Sequence, residues 1–332
     1  MPTRNQRHEH VRELPSGDLA FIGDVHGELD ALEQLLSHLD PSLTLVYLGD
    51  LADRGPDSPG VIDLVRRQMD ADRARCILGN HELSVLRREY KKYNAWFFPD
   101  EPEWAPKKNA APIAMRRLSK DAHIEGVWDF FNSLPVALER EDVRAVHAAW
   151  DSEHIETLRD QDLPAHRLFD HGPKNDLPEP PRYADEADET PPHDHERDHA
   201  WEAKEMAAQN DNPIRYATSG GERAVTQRED IGWYGHKWRP LARDPWWKSY
   251  REDPHVIIGH YSRQLQGATR PIFRGVTDTK APLGPTGRVW CIDYGIGNKA
   301  LGAQDPRLAA LVWRDGGASR ELVFHGGERF VV

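Results

Sequence analysis

The sequence predicts an α/β fold, and three patterns carry that expectation. Short runs of Val, Ile and Leu end abruptly in polar or glycine-rich stretches, amphipathic helical patterns lie between them, and the two kinds of segment alternate. Such alternation implies right-handed βαβ units around a largely parallel sheet.

The first apolar run, LAFI at 19–22, leads into GDVHG. A helical pattern follows in ELDALEQLLSHL, where Leu29, Leu32, Leu35, Leu36 and Leu39 recur at helix spacing. LTLVYL at 43–48 leads into GDLADRG, and SPGVIDLVRRQM at 58–69 repeats the helical period through Val61, Ile62, Leu64 and Val65. CIL at 76–78 leads into GNHE, after which Leu83, Leu86, Tyr90 and Tyr93 predict a helix over 81–93. LPVALEREDVRAVH reads as a hairpin turning at Glu141 and Asp142, with its second arm (143–146) ending on His147, so the sheet system is mixed. VII at 256–258 leads into Gly259 and His260, and VWCI at 289–292 into DYGIG. Runs this short and apolar fit strands buried on both faces.

Two segments fall outside this rhythm. Residues 97–112 read as a loop or small cap, and 151–213 as an irregular acidic insertion, partly disordered, within a single domain spanning 1–332. The acids and prolines concentrate at 176–205, where His193, His195 and His199 read as part of a solvated loop rather than as an extra metal site.

Composition narrows the function classes. With 43 Lys and Arg against 55 Asp and Glu the formal charge is −12, unfavourable for nucleic acid or an anionic membrane, so neither is expected as a partner. Cys76 and Cys291 lie in apolar runs and read as reduced core thiols. The charged start of the chain lacks a signal-peptide hydrophobic region, and no run reaches the length of a membrane span. A cytoplasmic location is expected.

In an α/β sheet the loops at the carboxyl ends of the strands converge on one crevice. Placing the polar endings there gathers Asp24, His26, Asp50, Asn80, His147 and His260. Their oxygen and imidazole donors suit manganese, iron or zinc, and two ions sharing a bridging carboxylate would use the whole set. Taken singly, each has a bland reading: a turn former for Asp24, a hydrogen-bonded core histidine for His147 or His260. Glu82 reads as structural, capping or pairing near the helix start. Trp233, Trp238, Trp246 and Trp247 precede His260 and would either wall the cleft or anchor an irregular segment to the core.

GDVHG, GDLADRG and GNHE, in that order and followed by His147 and His260, resemble the phosphoprotein-phosphatase branch of the calcineurin-like metallophosphoesterases. SGGERAV, IIGHY and CIDYG resemble bacterial members of that branch that include serine/threonine phosphatases and diadenosine tetraphosphate hydrolases. The resemblance implies the metallophosphoesterase fold, two packed mixed β-sheets flanked by helices. It further implies two divalent ions, manganese first and iron or zinc next, with Asp24 and His26 on one, Asp50 bridging, and Asn80, His147 and His260 on the other. A water between the ions would attack phosphorus in line. His81 would protonate the leaving oxygen, oriented by Asp53, and Arg54 would grip the phosphoryl oxygens. A second phosphate-binding arginine is expected at Arg223 or Arg239, with Arg223 preferred. HAAW after the hairpin departs from the family's small glycine-rich stretch.

The implied activity is hydrolysis of phosphate monoesters, phosphoserine and phosphothreonine in proteins among them. The alternative is cleavage of dinucleoside polyphosphates, so the expected partner is a phosphorylated substrate, phosphoprotein or nucleotide. The complete donor set with His81, Asp53 and Arg54 disfavours a binding protein that lost the chemistry. Oligomeric state stays open.

Overall fold

Alternate residues of the central strands face two different cores, and that division sets the architecture. A computed structural model describes residues 8–102, 104–105, 112–171, 197–228, 231–234, 237–266 and 270–332. Strands and helices are numbered in chain order. In the first sheet β2 (Leu19–Ile22), β3 (Thr44–Tyr47) and β4 (Ala74–Cys76) run parallel, Ile22 opposite Tyr47 and Tyr47 opposite Cys76. On the other side of β2 the chain's end adds antiparallel β13 (Ala309–Arg314), β14 (Ser319–Phe324) and β15 (Arg329–Val331), closing a six-stranded order β15-β14-β13-β2-β3-β4. The second sheet orders β1 (Val11–Glu13), β5 (Ala137–Glu139), β6 (Val143–Val146), β11 (His255–Ile258) and β12 (Val289–Cys291).

Leu19, Phe21 and Val46 of the first sheet share one buried cluster with Leu138, Ala145, Ile257 and Trp290 of the second, so the sheets pack face to face. The intervening residues Ala20, Ile22, Leu45, Tyr47, Val256 and Ile258 turn outward into a second core completed by helices. Both faces of these strands are therefore buried, as their unbroken apolar runs require. Helices α1 (Leu29–Ser37) and α2 (Ser58–Asp70) cover the first sheet, α2 opening on Asp57, whose carboxylate accepts the Gly60 N–H at 2.7 Å. The expected hairpin is present: β5 and β6 are antiparallel, and Arg140 N–H closes the turn on Val143 O at 2.9 Å.

The helix expected over 81–93 is shorter. Helix α3 spans Asn80–Leu86, Arg88 takes a left-handed φ of 51°, and only a 3₁₀ turn at Lys92–Asn94 follows. The indole of Trp128, on α4 (Asp121–Asn132), donates to Leu86 O at 3.0 Å and occupies a terminal helix carbonyl. The chain is thereby diverted so that Tyr93 and Trp96 pack inward instead of continuing a helical stripe.

The region expected as an insertion carries α5 (Ser152–Arg159), α6 (Ala165–Asp170) and α7 (His199–Asn210), with α8 (Pro213–Ser219) beyond it. Residues 172–196, with His193 and His195, lie outside the described residues, as do 103 and 106–111 of the expected loop at 97–112. Short strands β7 (Glu222–Ala224) and β10 (Leu241–Arg243) pair antiparallel, as do β8 (Gly232–Tyr234) and β9 (Lys237–Arg239). Trp246 and Trp247 are buried against Tyr250, Tyr261 and Phe273, which is the anchoring role rather than a cleft wall. Cys76 and Cys291 are buried free thiols. Among the described residues no helix is long and apolar enough to cross a membrane.

Candidate active site

Every motif stands just beyond the carboxyl end of a strand: Asp24 after β2, Asp50 after β3, Asn80 after β4, His147 after β6 and His260 after β11. The two sheets meet at this edge, so three of these residues come from one sheet and two from the other. Close approach of the loops explains the motif glycines. A Cβ on Gly49 would lie 2.5 Å from Gly79 N, and one on Gly79 would lie 2.3 Å from the Asp50 carboxylate. His26, Asp50, Asp53, Arg54, His260 and Ser262 all adopt left-handed φ, between 46° and 75°, a concentration of backbone strain typical of functional loops.

Glu82 explains how the strain is held. Its buried carboxylate accepts the N–H groups of Asp50 at 2.8 Å, Leu51 at 2.9 Å and Gly79 at 3.0 Å, tying the Asp50 loop to the start of α3. The structural reading of this residue is thus fuller than a helix cap alone.

The six candidate ligands surround one point. His26 Nε2 lies 3.8 Å from carboxylate oxygens of both Asp24 and Asp50, and His147 Nε2 lies 3.4 Å from Asp50. Asn80 Oδ1 faces His147 Nε2 at 3.1 Å and His260 Nδ1 at 3.0 Å. Backbone carbonyls set the tautomers: His26 Nδ1 meets Ala52 O at 3.1 Å and His147 Nδ1 meets Leu48 O at 2.6 Å, leaving each Nε2 aimed at the centre. Ligand atoms of Asp50, His147 and His260 all lie within 4.8 Å of one another, as do those of His26, Asp50 and His81.

The donor chemistry fits a pair of divalent cations. Burial and the neighbouring Asp293 and Asp50 carboxylates raise the pKa of Asp24 well above its ordinary value. Burial opposes the charged form of His147, yet Asp50 and Asp24 outweigh it and raise that imidazole to about 10. The pocket thus calls for positive charge where Asp50 meets His147, and crowded buried carboxylates with oriented imidazoles are what a cation would satisfy.

His81 has a different environment. Its Nδ1 meets Asp53 Oδ2 at 2.6 Å, and Arg54 Nη2 donates to its Nε2 at 3.0 Å, so both ring nitrogens are engaged by protein. A guanidinium can only donate, which fixes Nε2 as acceptor and places the ring proton on Nδ1.

Above this floor opens a cleft of about 480 Å³ lined by Asp24, His26, Asp50, Asn80, His81 and His260 below and by arginines around its sides. Arg54, Arg223 and Arg239 are there, and so are Arg243 and Arg270, which the motif reading missed. Buried Glu222 pairs with Arg239 and, at 2.8 Å, with Arg243, and burial, then His147 and Arg243, depress the pKa of His260. Pairing of β7 with β10 explains the grouping, since it sets Glu222 opposite Arg243 and Arg223 opposite Ala242. No local motif marks Arg243 or Arg270 in the sequence; only this long-range pairing and the chain's return over the cleft bring them in.

A comparison with known families matches residues 18–220, most of the chain, to the calcineurin-like phosphoesterases. The chain belongs to that family. Among curated relatives of this calcineurin-like phosphoesterase, a zinc-dependent endopolyphosphatase of Saccharomyces cerevisiae is 34% identical over 100 residues, 29% of this chain and 28% of the relative. A symmetrical bis(5'-nucleosyl)-tetraphosphatase of Ralstonia nicotianae is 42% identical over 65 residues, 20% of this chain and 23% of the relative. The chain thus spans less than a third of the length of these curated relatives. A solved protein serine/threonine phosphatase from Saccharomyces cerevisiae superposes with a TM-score of 0.50 at 13% identity, covering 98% of this chain and 84% of that one. That likeness concerns the fold: two mixed sheets flanked by helices.

Proposed function

We propose that this calcineurin-like phosphoesterase hydrolyses phosphate monoesters, phosphoserine and phosphothreonine among them, at a site holding two divalent cations. The observation that supports this most is the convergence of Asp24, His26, Asp50, Asn80, His147 and His260 beside the hydrogen-bonded His81–Asp53 pair. The cations, manganese, iron or zinc, would supply Lewis acidity and an activated nucleophile. Asp24 and His26 would hold one, Asn80, His147 and His260 the other, and Asp50 would be shared.

The chain's own groups do the rest. An incoming phosphoryl group draws Arg54 from His81 onto its equatorial oxygens, where the guanidinium offsets developing charge. His81 Nε2, released from Arg54, takes up a proton and delivers it to the leaving oxygen as the P–O bond breaks with its electron pair. Asp53 keeps the imidazole oriented through Nδ1. Arg243 joins Arg223 and Arg239 as a candidate for the second phosphate grip, since all three line the same cleft.

A second reading, dinucleoside polyphosphate hydrolysis, has its own support. Five arginines around one cleft exceed what a single phosphoryl group needs, and a phosphoanhydride chain would use more of them. The names of the tetraphosphatase and endopolyphosphatase relatives point the same way.

The test is phosphate release by manganese-loaded protein from 4-nitrophenyl phosphate, a phosphothreonine peptide and diadenosine tetraphosphate, with Asp50→Asn and His81→Ala alongside. Monoester turnover lost in both variants is expected. Preferential nucleotide cleavage would move the assignment to the second reading, and no metal-dependent turnover on any substrate would overturn both.

A further inference from the structure

The chain that leaves α3 early returns to the acid–base pair. Between Lys92 and Phe97 it makes a tight turn fastened by Asn94, whose side chain accepts the Lys91 N–H at 2.8 Å and donates to Glu89 O at 3.0 Å. Leu118 N–H holds it from outside on Trp96 O at 3.0 Å. From this turn two side chains reach the site. The Tyr93 ring lies 5.1 Å from that of His81 and 5.9 Å from the Arg54 guanidinium carbon, and Tyr93 O accepts the Arg54 N–H at 3.1 Å. Trp96, fully buried, donates its indole N–H to Asp53 Oδ1 at 2.6 Å.

Asp53 is thereby clamped at both oxygens, Oδ1 by Trp96 and Oδ2 by His81 Nδ1, while its backbone N–H donates to Ser58 Oγ at 2.9 Å. An unclamped buried carboxylate beside an imidazole would rotate about its terminal torsion, which is broad. Indole is a donor only, so it stabilises the acceptor carboxylate and adds no competing acceptor for the His81 proton. Hydrogen bonds to an ionised acceptor are the short, strong ones, and they are stronger still without water.

We propose that Trp96 is a positioning residue: its indole N–H fixes the Asp53 carboxylate, and through Asp53 it holds His81 with the proton on Nδ1 and Nε2 turned to the cleft. Trp96 touches neither substrate nor the candidate cation ligands, and it acts only on proton delivery to the leaving oxygen. The inference rests on the phosphoesterase reading above.

That role has a signature that a merely structural tryptophan lacks. A leaving group that departs readily as its anion needs little help from an acid, whereas a poor one depends on it. Trp96→Phe, which keeps an aromatic ring and removes the donor, is compared with wild type on 4-nitrophenyl phosphate and phenyl phosphate. The ratio of the two kcat values does not depend on the fraction of folded protein. The expected result is a kcat loss of roughly tenfold or more on phenyl phosphate, well under that on 4-nitrophenyl phosphate, with KM little changed for both. In metal-free protein the downfield proton resonance of His81 Nδ1–H, identified by its loss in His81→Ala, is expected to move upfield in Trp96→Phe. If Trp96→Phe does not fold, 3-benzothienylalanine at position 96, an isostere of tryptophan without the N–H, carries the same comparison. Equal losses on both esters, or a shifted resonance with an unchanged kcat ratio, would overturn the proposal. Wild-type inactivity on both esters would remove the monoester reading, and this role of Trp96 with it.

Discussion

Glu82 concentrates at one residue the problem this site has to solve. The Asp50 loop runs through left-handed backbone, and three of its neighbouring N–H groups would be buried without an acceptor if Glu82 were absent. Leaving a buried donor unpaired costs about 1–3 kcal/mol. Glu82→Ala is therefore expected to lower the unfolding free energy by about 3 kcal/mol or more, read from the urea midpoint at unchanged m. Glu82→Gln keeps one acceptor oxygen and should fall between wild type and Glu82→Ala; a Glu82→Ala protein as stable as wild type would refute the clamp. The sequence displayed Glu82 as part of GNHE, but its partners on Asp50 and Leu51 are 32 and 31 residues away and have no local signal. The same holds for Trp96: the residue is visible, while its hydrogen bond to Asp53 depends on α3 stopping at Leu86.

Strands show where one-dimensional reading works and where it fails. The runs before GDVHG, GDLADRG, His147 and Gly259 became β2, β3, β6 and β11, because an apolar run buried on both faces needs no partner to be recognised, whereas β4 ends at Cys76 and takes in only the first residue of the run expected at 76–78. The antiparallel strands β13–β15 close the first sheet, and the small pairs β7–β10 and β8–β9 are short strands whose existence depends on pairing rather than on pattern. His255, at the start of β11, shows what such packing does to a titratable group. Burial, then Arg320 and Arg288, push its pKa down to about 4, with Asp142 opposing, and its Nδ1 accepts the Trp290 indole N–H at 3.2 Å. The folded state therefore favours neutral imidazole, while the unfolded chain takes up a proton near its ordinary value of about 6.5. Stability from this group is complete above that value and is lost as pH falls from there toward 4. The urea midpoint of the wild type is expected to drop more steeply between pH 7 and 4.5 than that of His255→Asn; parallel curves would remove His255 from the acid sensitivity.

At the scale of the whole molecule, the site joins the two sheets at one edge. Asp24, Asp50 and Asn80 descend from the first sheet and His147 and His260 from the second, so a cation bound among them links both layers. Protein contacts across that junction include the His260 N–H on the Asp24 carboxylate at 3.1 Å and His147 Nδ1 against Leu48 O at 2.6 Å. A ligand that binds only the folded state stabilises it by mass action, about 2.7 kcal/mol at a hundredfold excess over its dissociation constant. Manganese is accordingly expected to raise the melting temperature in a concentration-dependent way, and a chelator to reverse the rise. Asp50→Asn, which weakens the one ligand common to both candidate cations, should lose most of that increment. Trp96→Phe should retain it, since the Trp96 indole bonds Asp53 and not one of the six candidate ligands. A melting temperature indifferent to manganese in the wild type would mean that these six donors, however well gathered, do not hold the two layers together through a metal.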